Sequence, residues 1–211
     1  MFMISDIIAA LGSFIMNGIS SMGYWGVGLM MGIESMCIPL PSEIIMPFSG
    51  FLVANGTFTL WGVTLAGSLG SVAGSLIAYY AGLLGGRGFI EKYGKYILIT
   101  RHDMDIADNF FNKYGGSAVF FSRMMPVVRT FISLPAGIAK MNVWKLSVYT
   151  FLGSVPWCLF LAYIGKKLGD KWDTLGAYFH KFDIVIAILF FVGVVWFVKR
   201  HIDIRKREDS I

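Results

Sequence analysis

Long apolar stretches make up most of the chain, and their lengths predict helices that cross a membrane. A helix needs about 20 apolar residues to span the hydrocarbon core, and about 17 is near the lower limit. Phe58 to Leu84 and Trp144 to Ile164 satisfy this requirement without interruption. The shorter stretch 183–198 predicts a last span because basic residues follow it directly, and Ile7 to Met22 either crosses the bilayer or lies along its interface.

Two further apolar stretches, Tyr24 to Ala54 and Gly116 to Lys140, are interrupted by prolines. Proline removes an amide donor and disrupts the preceding helical turn. Non-helical backbone is tolerated at membrane depth only where protein or a wet cavity surrounds it. Each stretch therefore predicts a re-entrant helical hairpin that enters the membrane and turns back. The predicted hairpin breaks are Pro39, Pro41, Pro47, Pro126 and Pro135.

The two broken stretches belong to a weak internal repeat, because an uninterrupted span follows each of them. Tyr24 to Leu84 is one copy and Gly116 to Ile164 is the other. Broken apolar segments in corresponding positions are typical of a transport site between inverted repeats. We therefore expect an all-α integral membrane protein with one transmembrane domain over 1–211. It would contain two inverted repeats, each with a Pro-broken hairpin and a transmembrane helix, plus the C-terminal span.

The composition excludes an ordinary soluble domain. The chain is 56% hydrophobic and 15% charged, against about 45–50% apolar and about 25% charged residues in soluble domains. Lys and Arg are concentrated in the loop 85–116 and the tail 199–211, with five in each. The positive-inside rule places both in the cytoplasm, so the first hairpin enters from the outer face and the second from the inner face. Within the loop, 106–114 has the spacing of an amphipathic surface helix.

Neither a metal site, a cofactor site nor a nucleic-acid site is predicted. Cys37 and Cys158 have no paired spacing, which argues against a disulfide or a zinc site. The segment containing His102, Asp103 and Asp105 has metal-ligating residue types, but the solvated first turn of a helix explains the same residues. The net charge of +5 fits a membrane-surface topology better than a nucleic-acid surface.

Four charged residues in the hairpins carry the candidate chemistry. The first hairpin has Glu34 and Glu43 and no base, whereas the second has Arg123 and Arg129 and no acid. A charge at the bilayer centre costs about 2.5–3.5 kcal/mol on insertion scales, so these four must be paired, hydrated or functional. Two readings stay open. The charges either form salt bridges that hold the hairpins together, or they bind a lipid phosphate, which guanidinium groups grip in a bidentate manner.

Local features refine this expectation. Ser42 is predicted to cap the helix that restarts after Pro41, which would place Glu43 in the favourable first turn. The two glutamates would divide their roles, one pairing with an arginine or cation and the other exchanging a proton. Gly67, Gly70 and Gly74 predict close helix packing. The remaining expectations are an Asn142 helix cap and interfacial anchoring by Tyr79, Tyr80, Trp144 and Trp157.

These motifs resemble the DedA family of membrane proteins, also described by the SNARE-associated or VTT domain, over about residues 24–168. The most specific match is Phe121-Ser122-Arg123, followed by Pro126 and Arg129. Met46 occupies a position near which some members carry a second acid. The other matching residues are Glu34, Pro39, Pro41, Glu43, Pro47, Gly50, Tyr79, Tyr80, Gly82, Gly85, Pro135, Ala136, Gly137, Met141, Gly153 and Trp157.

The resemblance implies lipid transport in a bacterial cytoplasmic membrane, with the C-terminus inside the cell. Undecaprenyl phosphate is the expected substrate, and phosphatidylethanolamine or general phospholipid flipping or scrambling is the alternative. In that frame Arg123 and Arg129 bind the head-group phosphate, while Glu34 and Glu43 pair with them or accept protons. Transport could be coupled to a proton or sodium gradient, and the chain could form a homo-oligomer. Two other classes, an intramembrane lipid phosphatase and a structural assembly factor, remain to be separated from transport.

Overall fold

The structure is a computed structural model that describes residues 2–38, 40–97, 111, 114–125 and 128–169, with side chains outside 2–11 and 86–97. Its regular structure is helical, and no β-strand occurs in these ranges. The all-α fold class is therefore confirmed. The helices are α1 (Phe2–Met22), α2 (Tyr24–Ser35), α3 (Ser42–Ala54), α4 (Leu60–Ile97), α5 (114–123), α6 (Val128–Phe131), α7 (Ser133–Ile138) and α8 (Val143–Leu168).

Two described segments are long and apolar enough to cross a membrane, Leu60–Gly85 within α4 and Val143–Leu168, which is α8. They coincide with the two uninterrupted spans that the hydropathy pattern predicts. The helix α4 continues beyond its predicted end to Ile97, because the sequence between Leu60 and Ile97 contains no proline to interrupt its hydrogen bonds. The start of the predicted loop is therefore helical.

Other predicted elements lie outside the described residues. These are the last span 183–198, the tail 199–211 and, apart from residues 111 and 114, the amphipathic helix 106–114. The metal-ligand alternative at His102 also lies outside them. The N-terminal stretch is one helix, α1, which packs against α2 and α3. It ends at Met22, and the following Gly23 has a positive φ of 61°, which suits glycine because a side chain is strained there.

Both proline-interrupted stretches contain a helix break. The helix α2 ends at Ser35 and α3 begins at Ser42, with Pro41 as its N-cap in an extended conformation. Between them Cys37 adopts a φ of 67°, an uncommon conformation for a residue with a side chain. In the second stretch α5 ends at residue 123 and α6 begins at Val128. The predicted breaks Pro39 and Pro126 lie outside the described residues.

Pro47 and Pro135 do not break helices, so these two predicted breaks are wrong. Pro47 lies inside α3, where the helix continues despite the loss of one amide donor. Pro135 is the third residue of α7. Amides in the first turn of a helix have no intrahelical acceptor, so a proline there sacrifices no bond.

Glycines bring the backbones of α2 and α4 into direct contact. A Cβ on Gly70 would overlap the carbonyl oxygen of Gly28, and a Cβ on Gly74 would overlap that of Gly32. Such small-residue contacts allow close helix packing in lipid. The close packing predicted for the Gly67, Gly70 and Gly74 stripe is therefore confirmed.

Two further glycine contacts join one half of the chain to the other. Gly50 of α3 lies against α8, where Gly165 in turn faces the backbone of Pro47. Gly82 of α4 lies against the backbone of α7, and Gly137 of α7 faces the backbone of α4 at Tyr79. The short helix of each half thus packs against the long helix of the other half.

Large apolar side chains cover the outside of the long helices. On α4 the side chains of Leu65, Leu69 and Ile77 are exposed, and on α8 those of Val148 and Leu152 are exposed. The interior holds apolar clusters around Met31 and Met46 in the first half and around Val119 and Leu146 in the second. An extended apolar exterior on helices of spanning length is typical of a protein in lipid.

Candidate functional site

The predicted charged residues lie at the helix ends that flank the two breaks. Glu34 and Ser35 end α2, and Arg123 ends α5. Arg129 lies in α6, and Ser133 begins α7. Since a helix C-terminus favours a cation, Arg123 suits its position, whereas Glu34 gains nothing from its own helix. These ends meet in the interior, where Glu34, Arg123 and Arg129 are each less than 5% exposed.

Glu34 and Arg129 form a buried ion pair in which Nη2 of Arg129 donates to Oε1 of Glu34. The guanidinium of Arg129 also lies over the ring of Trp157, with its central carbon 5.2 Å from the ring centroid. A cation over an indole face is stabilised by the ring quadrupole. Arg129 therefore has both a counter-ion from α2 and an aromatic support from α8.

Arg123 contacts no carboxylate among the described residues. Its Nη1 donates to Oγ of Ser35 at 3.4 Å, and its Nη2 donates to Oγ of Ser133 at 2.8 Å and to Oγ of Ser75. All three serines are at most 2% exposed. Arg123 therefore keeps a buried positive charge whose contacts are neutral hydroxyl groups.

Several buried donors at this site have no acceptor among the described residues. The Nε atoms of Arg123 and Arg129 and the indole Nε1 of Trp157 make no hydrogen bond there. The three charged side chains carry two positive charges and one negative charge, which leaves a positive excess in a buried place. Because an unpaired buried polar group is costly, such a site favours an anion that brings its own acceptors.

Glu43 is the one predicted charge that the structure leaves apart from these contacts. It lies in the first turn of α3, as predicted, and is half-buried. Its charge acts on Glu34 electrostatically, but it makes no ion pair within the described part of the chain. The predicted Ser42 cap is wrong, because Ser42 is the first helical residue and its buried hydroxyl has no hydrogen-bond partner among the described residues.

Other sequence expectations have mixed outcomes. Asn142 caps α8 by accepting from the amides of Trp144 and Lys145 at 3.0 and 3.2 Å, which confirms that prediction. Tyr79 is buried and donates from its hydroxyl to the carbonyl oxygen of Met141 at 2.7 Å, so it is not an interfacial anchor. Met46, where some family members carry an acid, is fully buried in the apolar core.

Sequence reasoning missed Ser35, Ser133 and the position of Trp157 beneath Arg129. The only local signal was that Ser35 adjoins Glu34 and Ser133 follows Arg129 by one helical turn. The cysteines are also closer to the site than the sequence indicates. Cys37 donates from Sγ to the carbonyl oxygen of Thr130 at 3.5 Å, and Cys158 is fully buried in α8 directly after Trp157. No group of metal-ligating side chains occurs within the described ranges.

Comparison with known proteins places this architecture in a family. The model of the VTT domain matches residues 40–167. The chain belongs to the VTT domain family, which is the DedA family. No solved structure matches it. The match spans α3 to α8 and therefore includes both arginines but not Glu34.

Relatives from this family carry different names. The undecaprenyl phosphate transporter A of Bacillus subtilis is 38% identical over 92% of this chain and 98% of its own length. The uncharacterized membrane protein YkoX of the same organism is 45% identical over 80% of this chain and 74% of its own. An alkaline phosphatase-like protein of Lactococcus lactis is 32% identical over 89% of this chain and 92% of its own. Family membership and the apolar helices make this chain a membrane protein.

Proposed function

We propose that this chain transports a phosphate-bearing lipid, in the first place undecaprenyl phosphate, across a bacterial cytoplasmic membrane. The observation that carries the proposal is the buried guanidinium of Arg123, which has hydroxyl partners and, among the described residues, no carboxylate partner. A lipid phosphate would supply the missing negative charge. The relative named undecaprenyl phosphate transporter A supports this choice of substrate.

The geometry suits binding of a head group, since an arginine presents two or more donors in one plane to a phosphate. In this proposal Arg123 takes the phosphate first, and Arg129 joins when Glu34 releases it. Glu43, half-buried near Glu34, would meet the cationic part of a zwitterionic head group or take part in coupling. The lipid chains would remain in the bilayer.

The proposed path lies between two inverted repeats with re-entrant hairpins. The exchange of short helices between halves, with α3 on α8 and α7 on α4, supports this arrangement. So do the breaks after Ser35 and after residue 123, which lie beside the charged cluster. Rocking of one half against the other would expose the arginines to each face in turn. The last span 183–198 and a cytoplasmic C-terminus complete the proposed topology.

Glu34 provides a physical basis for ion coupling. While it is ionised it neutralises Arg129, and once it takes up a proton Arg129 is free to bind phosphate. A sodium ion near the carboxylate could act in the same way. Transport would then depend on the gradient of the coupling ion, and this dependence should be absent in Glu34→Gln.

Hydrolysis is the second candidate, because some relatives are named alkaline phosphatase-like proteins. A phosphatase needs a nucleophile and a general acid or base within reach of the phosphate. Cys37 and Cys158 are the two cysteines of the chain, and Cys37 bonds to the carbonyl oxygen of Thr130, the residue after Arg129. Intact lipid on the opposite leaflet would establish transport, whereas release of inorganic phosphate would establish hydrolysis.

The test is leaflet-resolved transport in proteoliposomes that contain the purified full chain. We expect transfer of undecaprenyl phosphate by the wild type, a loss of at least about 100-fold in Arg123→Ala, and an intermediate rate in Arg123→Lys. The control is Lys145→Ala, which removes an exposed cation and should transport normally. Phosphatidylethanolamine is assayed in parallel as the alternative substrate.

Two outcomes would contradict the proposal. If the wild type moves neither lipid while it folds normally, the chain is not a transporter of these lipids. If Arg123→Lys and Arg123→Ala both support normal function in cells, the charges are architectural and an assembly role is the better account.

A further inference from the structure

Three buried serine hydroxyls surround the guanidinium of Arg123, and they come from three different helices. Ser35 ends α2, Ser75 lies in the middle of α4, and Ser133 begins α7. Because Ser35 and Ser75 belong to the first half of the chain, Arg123 is held across the interface between the halves. Each hydroxyl contact would be broken or reshaped if one half moved relative to the other.

The hydroxyl protons of these serines are not equally available. Ser75 donates its own proton to the carbonyl oxygen of Ser71 at 2.5 Å, so it faces Arg123 as a fixed acceptor. Ser35 and Ser133 only accept from Arg123 within the described part of the chain. A serine hydroxyl can donate one bond and accept others. Two hydroxyl protons are therefore free to be donated beside the guanidinium.

A third donor without an acceptor adjoins them. Nε of Arg123 has no hydrogen-bond partner in the part of the chain that the structure describes, although the residue is only 3% exposed. The surroundings of Arg123 thus contain a positive charge and three hydrogen-bond donors that have no acceptor among the described residues. Neutral ligands do not match this set, because it calls for several acceptor oxygens and a negative charge on one small group.

We infer that Ser35 and Ser133, together with Arg123, form a subsite that selects a phosphate monoester over a phosphodiester. A monoester phosphate presents three terminal oxygens and a charge of about −1.5 to −2 near neutral pH. A diester presents two such oxygens and a single negative charge, so it offers the same donors fewer acceptor lone pairs and a weaker electrostatic attraction. This inference rests on the proposed function, and it assigns the specificity of that site to the serines.

The test measures equilibrium binding to the purified full chain in detergent. The probes are heptaprenyl phosphate as a lipid monoester, phosphatidylglycerol as a lipid diester, and inorganic phosphate as a free anion. The variants are Ser133→Ala, Ser35→Ala and the double variant, with Ser133→Cys as a substitution of similar size. The control is Ser49→Ala, since Ser49 is fully buried but bonds to its own helix at the carbonyl of Ile45.

We expect the double variant to bind heptaprenyl phosphate at least about tenfold more weakly, because a hydrogen bond to a charged group is lost at each position. Its affinity for phosphatidylglycerol should change less than about threefold, and Ser49→Ala should resemble the wild type with both probes. The ratio of the two affinities is independent of the fraction of folded protein. It therefore remains informative if a variant folds poorly, and Ser133→Cys provides a second reading.

An equal loss of affinity for the monoester and the diester would overturn the inference, since the serines would then only hold Arg123 in place. An unchanged affinity for both probes in all variants would overturn it as well. Binding of inorganic phosphate as tightly as heptaprenyl phosphate would assign the subsite to the free anion. If the wild type binds neither lipid, the proposed function fails, whereas lipid binding without a serine effect defeats the subsite alone.

Discussion

The surroundings of the two buried arginines differ although both come from one short stretch of sequence. Arg129 has a carboxylate partner in Glu34 and an indole beneath it, whereas Arg123 has three hydroxyls. Both are nearly inaccessible, at 4% and 3% exposure. Within the described residues, one positive charge is thus paired with a carboxylate and the other is not. In the proposed function, Glu34 controls the availability of Arg129, whereas Arg123 binds the phosphate of the substrate.

Adjacent residues produce this difference. Glu34 and Ser35 are neighbours in the last turn of α2, yet Glu34 contacts Arg129 and Ser35 contacts Arg123. One helix end therefore supplies a partner to each arginine. A movement of α2 would alter both contacts together. In the proposed function, separation of Arg129 from Glu34 would therefore accompany separation of Arg123 from Ser35.

Removal of Glu34, the carboxylate partner of Arg129, has the largest expected effect on stability. Glu34→Ala should lower the free energy of unfolding by about 3–5 kcal/mol, because it leaves the buried charge of Arg129 unpaired. Chemical unfolding in detergent measures this change. Glu43→Ala is the matched control, since Glu43 makes no ion pair within the described ranges and should cost far less. Equal costs for the two variants would contradict the special role of Glu34.

A substitution at Gly153, which lies next to Arg123, tests whether the position of Arg123 is critical. A Cβ on Gly153 of α8 would lie 2.7 Å from Cβ of Arg123 and 2.9 Å from the carbonyl oxygen of Phe120. Gly153→Ala should therefore displace Arg123, cost about 1–3 kcal/mol of stability through overpacking, and slow lipid transport about tenfold.

The control for this variant is Gly12→Ala, because a Cβ on Gly12 would meet nothing within 4 Å. Transport by Gly153→Ala at the rate of the wild type would show that the position of Arg123 is not critical. A loss of stability without a loss of transport would lead to the same conclusion.

The sequence predicts the long helices and the charged residues of the site better than it predicts the contacts between the residues of the site. Continuous hydropathy identifies α4 and α8, and the charge inventory identifies Glu34, Arg123 and Arg129, because buried charges are too costly to be incidental. The Asn142 cap is also readable, since its partners are two and three residues away.

The parts that could not be predicted depend on distant residues. Arg123 meets Ser35 and Ser75, which are 88 and 48 positions away in the chain, and no local pattern encodes these contacts. Local rules also fail where tertiary packing decides. The helix α3 starts at Ser42 instead of after it, and Pro47 is accommodated inside that helix.

The smallest expected effect is that of Ser42→Ala, which measures how much a buried serine contributes to stability when it has no arginine partner. Ser42 is fully buried and its hydroxyl has no partner within the described ranges, so Ser42→Ala should change the unfolding free energy by less than about 0.5 kcal/mol or raise it. Asn142→Ala should instead cost about 1 kcal/mol, the usual value for a lost helix cap. Thermal unfolding of both variants checks the pair, and a larger cost at Ser42 would mean that its hydroxyl has a function.

The most direct measurement is a structure of the chain in lipid nanodiscs with heptaprenyl phosphate bound. We predict that the phosphate lies within hydrogen-bond distance of the Arg123 guanidinium and of the hydroxyls of Ser35 and Ser133. A phosphate bound elsewhere, with Arg123 still donating to all three serines, would contradict it.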